Sequence, residues 1–201
     1  MAIAVIAITT AVIAPVMLVS VATRVQSQRA EQALQVAQGE IDRVRLVVER
    51  NATYGDPELG IASVPSTTTT ELTQVSFPTA VQASYDLAQP RVSKGIDIDS
   101  DGTNDFAVQT FRMEGEPDTA GRPVSFDLGV RVYPYAAVES GRANTIEPVR
   151  IGLSSSNVND NIEGPLVVLY TKITKSDESN SLCEYIDELG VPAGSSTPTK
   201  C

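Results

Sequence analysis

From Met1 to Thr23 no charged side chain interrupts the chain, and apolar residues dominate. Arg24 opens a charged stretch in which Val25, Ala30, Ala33, Ala37, Ile41, Val44 and Val48 recur at spacings of three to five, with Val36 and Val47 widening the stripe. Such spacings line one face of an α-helix. The 23 uncharged residues would span about 34 Å as a helix, against about 30 Å for a bilayer core. Thr9, Thr10, Ser20 and Thr23 can return their hydroxyls to the helix's own carbonyls. No turn signal separates the two stretches, so the pattern predicts one helix over residues 1–50: an apolar segment 1–23 and an amphipathic stalk 24–50. Pro15 lies within the first, where it removes a helical hydrogen bond and kinks or locally melts the helix.

Asn51 and Gly55-Asp56-Pro57 close the helix, and residues 51–70, with a Ser66-Thr67-Thr68-Thr69-Thr70 run, read as a surface loop. The code then changes to period two. Val124, Phe126, Leu128, Val130 and Val132 alternate with Ser125, Asp127, Gly129, Arg131 and Tyr133, the pattern of a half-buried strand. Leu166 to Ile173 forms a second strand, residues 91–98 and 105–113 two more joined by an Asp/Gly loop, and residues 145–153 another, interrupted by Pro148. The expected class is α+β: a long N-terminal helix, transmembrane then amphipathic, packed through its C-terminal half on an antiparallel sheet of about four strands. Residues 51–201 form a single globular head.

Charge sharpens this division. Residues 1–50 hold five arginines against four acids; of the chain's 15 basic and 25 acidic residues, the head therefore keeps 10 and 21, a net −11. A head so acidic excludes nucleic acid as a long-range electrostatic partner and suits divalent cations, although a soluble surface explains most of the acids equally well.

Within the head, Asp97-Ile98-Asp99-Ser100-Asp101-Gly102-Thr103-Asn104-Asp105 is the sharpest local motif. Calcium takes six to eight oxygen ligands. Asp97, Asp99 and Asp101 would give carboxylates, Gly102 the sharp turn, Thr103 its backbone carbonyl, and Asp105 would close the cage. The pattern resembles the short calcium loops of integrin-type propeller and thrombospondin-type repeats. Val108, where an EF-hand has its bidentate Glu, points to a structural Ca2+ pinning a β-hairpin and not to a helix–loop–helix. The competing reading is an acidic hairpin turn that uses Asp-Gly for backbone geometry alone.

Cys183 and Cys201 are the only cysteines and enclose a Gly/Ser/Pro/Thr-rich loop, which suggests a disulfide-closed tail, 183–201, made in an oxidising compartment. Two reduced, unrelated thiols are the alternative. Histidine is absent, which removes the usual neutral-pH base and weakens any cysteine metal site. Glycine-rich phosphate loops and nucleophile-elbow or zincin motifs are absent too, so the chain reads as a non-enzyme.

An apolar helix containing a proline, an amphipathic stalk, an antiparallel sheet and a disulfide-closed C-terminal loop together resemble the type IV pilins and the type II secretion pseudopilins. The stretch Ile13-Ala14-Pro15-Val16-Met17-Leu18-Val19-Ser20-Val21-Ala22-Thr23-Arg24-Val25-Gln26 is most similar to the pseudopilins linked to hormogonium polysaccharide secretion in cyanobacteria. The resemblance implies a structural subunit, a minor pilin or pseudopilin, held single-pass in the inner membrane with its head outside and then moved into an extracellular or periplasmic filament. Its partners would be copies of itself and other pilins, an inner-membrane assembly platform, and the prepilin peptidase where an upstream leader exists. Filament contacts would run through Pro15, Val21, Val25, Ala30, Ala33, Ala37, Ile41, Val44 and Val48.

The family's basic leader, Gly–Phe cleavage site and following glutamate do not stand in this sequence, and Val5 occupies the place where a mature chain beginning at Met1 would carry that glutamate. Arg24 and Arg29 place the head in the cytoplasm by the positive-inside rule, whereas the cysteines place it outside. First residues missing from the sequence would reconcile both departures. The residues also fit a monomeric membrane-anchored calcium-binding adhesin or carbohydrate-binding module, or an accessory protein of a secretion complex that never polymerises.

Overall fold

The computed structural model describes residues 2–50, 54–65, 68–69, 71–117, 120–149 and 163–175, with the side chains of residues 2–19, Ala22 and Glu116 outside that description. Helix α1 runs from Ala2 to Arg50 without interruption. Arg50 in its last turn complements the negative end of the helix dipole. Its stripe is seated from Ala33 onward: Ala33, Ala37, Ile41, Val44 and Val48 are buried against the sheet, while residues 20, 21, 23–25, 27–29, 31 and 32 are exposed. Alanine at the first two buried positions lets the helix axis approach the sheet closely.

The sheet has seven strands: β1 (Ala62–Val64), β2 (Ala80–Gln82), β3 (Val92–Ile96), β4 (Phe106–Met113), β5 (Glu116–Pro117), β6 (Pro123–Pro134) and β7 (Val167–Thr174). Its centre is the antiparallel pair β4–β6, in register from Phe106↔Pro134 to Arg112↔Leu128. β7 lies antiparallel on the other edge of β6. β3 and β1 pair with opposite ends of β4, at Phe106–Val108 and Phe111–Met113, and so share the edge that β6 leaves open. Even-numbered side chains of β4 and β6 face α1, so Phe106, Val108, Phe126, Leu128, Val130 and Val132 join Ile173 and the helix stripe in one core.

The expected α+β class, with an antiparallel sheet of about four strands, is corrected to a mixed sheet of seven strands that dominates the fold, and two local expectations are corrected with it. The sheet is mixed, because β1 runs parallel to β4 and β2 parallel to β3; neither three-residue strand is long enough to display a period of two. The segment expected as a plain loop after α1 contains β1 and a short helix, α2 (Asp56–Leu59). Glu58 accepts the Gly55 amide at 2.8 Å to start α2, and Gly60, at φ +62°, ends it. Residues 145–149 form no strand, and the remainder of that expected strand, 150–153, lies outside the described residues.

The single-pass membrane placement is corrected as well. Among the described residues no helix is long and apolar enough to cross a membrane. From Thr23 to Arg50, α1 carries Arg24, Arg29, Glu31, Glu40, Asp42, Arg43, Arg45, Glu49 and Arg50, an ionisable group at nearly every turn that hydrocarbon would not solvate. The side chains of the apolar segment up to Val19 lie outside the description, as do Cys183, Cys201 and the tail they were expected to close.

β6 was expected to be half-buried and is buried on both faces, with Asp127 its one exposed residue. A layer made of residues 71–77 and of α3 (Tyr135–Glu139) with the chain that follows covers the face away from α1. Polar side chains hold that layer down. The Arg131 guanidinium donates to the carbonyls of Val75 (2.6 Å) and Leu72 (2.8 Å) and to the Tyr170 hydroxyl, and lies 4.8 Å over the Phe111 ring. Gln109 donates to the carbonyls of Ser76 and Pro90. Gly129 leaves room for the Phe111 ring beneath, which a Cβ would meet at 2.6 Å.

Candidate functional site

The two features singled out in the sequence come to lie far apart in character: an acidic hairpin loop on the head, and the part of α1 that leaves the head. β3 and β4 form the hairpin that carries residues 97–105, closed at its neck by the Asp105 amide donating to Ile96 at 2.9 Å. Ser100 (φ +61°) and Gly102 (φ +91°) take left-handed backbone, which folds the loop tightly enough to bring its aspartates together.

Asp97, Asp99 and Asp105 each present a carboxylate oxygen within 4.8 Å of the others. Asp97 accepts the amides of Ser100 (2.7 Å) and Gly102 (2.9 Å), Asp99 that of Asp101 (3.2 Å), and Asp105 that of Ile98 (2.9 Å). These inward N–H groups offset the mutual repulsion of the acids and orient their carboxylates. Asp101 is engaged otherwise. It accepts both the hydroxyl (2.5 Å) and the amide (2.7 Å) of Thr103, and these two bonds hold its carboxyl below the usual carboxylate range. The structure thus brings together three of the five expected ligands and places Asp101 and Thr103 in a side turn that shapes the loop. Three carboxylates can supply three of the six to eight oxygens that calcium takes, with carbonyls and water supplying the rest.

The expected helix contacts divide in two. Ala33, Ala37, Ile41, Val44 and Val48 are occupied within their own chain, and Ala30 is half-buried. Val21 and Val25 stand 62% and 44% exposed on the projecting part, which leaves them open to other molecules. The side chain of Pro15 lies outside the described residues.

A polar cluster at the helix–sheet boundary was not anticipated. Glu40 is only 7% exposed. It accepts Arg43 Nε at 2.9 Å and lies 3.9 Å from Lys94 Nζ of β3. Arg43 and Lys94 each sit 5.8 Å from the centre of the Tyr85 ring. Arg43 also donates to the Leu59 carbonyl at 2.9 Å, and the Thr110 hydroxyl donates to Tyr85 at 3.1 Å. Burial, then the Glu40 charge, raises the Tyr85 hydroxyl far above its ordinary pKa and keeps it neutral. The signal was present in the sequence, since Glu40 follows Ala37 by three and precedes Val44 by four and so falls on the buried stripe.

No protein-family model, no curated protein and no solved structure matches this chain.

Proposed function

We propose that the chain is a structural subunit that assembles with copies of itself through the projecting part of α1, as a filament subunit of the minor-pilin or pseudopilin kind. The observation that carries this reading is the division of one continuous helix: α1 buries side chains against its own head only from Ala33, while none of the described residues 20–32 is buried. An isolated helical arm with apolar side chains gains little from water and much from neighbouring helices that cover it. The uncharged run from Met1 to Thr23, which includes Val21 and is followed closely by Val25, would supply apolar residues to such neighbours, and the resemblance of residues 13–26 to pseudopilins points the same way. Asp97, Asp99 and Asp105 would bind a divalent cation, Ca2+ by their all-oxygen chemistry, and so stiffen the β3–β4 hairpin of each head.

Sedimentation velocity and negative-stain microscopy of the full chain test the assembly. The unaltered protein should sediment as large, elongated assemblies, and a Val21→Asp, Val25→Asp double variant should fall to monomers whose head melts at the original temperature. A full chain that remains monomeric at every concentration would overturn the filament reading and leave a monomeric cation-binding module.

A further inference from the structure

We draw no further inference here: the strongest candidate, the outer edge of β7 beside the cleft lined by Arg45, Val48 and Glu49 of α1, pairs with no strand among the described residues, and nothing in the structure shows what covers it.

Discussion

The two halves of α1 belong to one unbroken helix and share one pattern of apolar and charged positions, yet they do different work. From Ala33 to Val48 the stripe is consumed by the chain's own sheet, in a core with Val108, Leu128 and Val130. From Ser20 to Gln32 no described residue is buried, and Val21 and Val25 face outward. Amphipathic periodicity states that a helix has a face to bury and does not state against what. What decides is where the sheet ends. The seated half makes the head a folded unit, and the proposed assembly would use the projecting half.

The largest effect should separate the halves directly. Val44→Asp places an unpaired charge in the core and should cost about 4 kcal/mol or more, enough to unfold the head in a thermal melt followed by circular dichroism. Val25→Asp should stay within about 0.5 kcal/mol of the native chain. Equal losses at both sites would break the distinction. Next in size, Leu128→Ala, on the sheet side of the seated half, should cost about 2–5 kcal/mol in urea titrations. It should also lower hydrogen-exchange protection at residues 33–48 while leaving residues 20–32 as exchangeable as before.

Alkali should sharpen the contrast further. Burial raises the Tyr133 hydroxyl to about 12, above the ordinary value of about 10 that it has in the unfolded chain. Below pH 10 both states keep the proton; above it the unfolded state gives up its proton first, so stability is intact below pH 10 and falls as the pH rises to 12. The head should lose its near-ultraviolet dichroism across that window. The described projecting residues contain no tyrosine and contribute nothing to the transition. The smallest effect belongs to the acidic loop. At ten times its dissociation constant, Ca2+ should add about 1.4 kcal/mol to the head, a rise of about 3–6 °C in Tm. Asp99→Asn with Asp105→Asn should abolish that rise, and a rise that persists would place cation binding elsewhere.

Elements long enough to show a period could be read from the sequence. The 3.6-residue stripe marks α1, the alternation from Val124 to Val132 marks β6, and the aspartate spacing marks the hairpin loop between β3 and β4. β1 and β2 are three residues each and exist because neighbouring strands offer free backbone edges, a long-range fact with no local trace. Arg131 and Gln109 occupy positions that read as solvent-facing. An alternating polar residue has the same spacing whether its partner is water or the carbonyl of Val75, so the buried second face of the sheet stayed hidden. Within the acidic loop the spacing named five ligands. It could not show that Thr103 would draw Asp101 aside and leave Asp97, Asp99 and Asp105 to converge.

The most direct test of the account is a photo-crosslinking residue placed at Val25 of the full chain, with the same residue at exposed Ala136 on the head as the comparison. Irradiation should join position 25 to α1 of another copy and form ladders of covalent multimers, while position 136 gives few or none. Ladders that are equal from both positions, or position 25 yielding only uncrosslinked monomer, would contradict the claim that the projecting half of α1 is where copies of this chain meet.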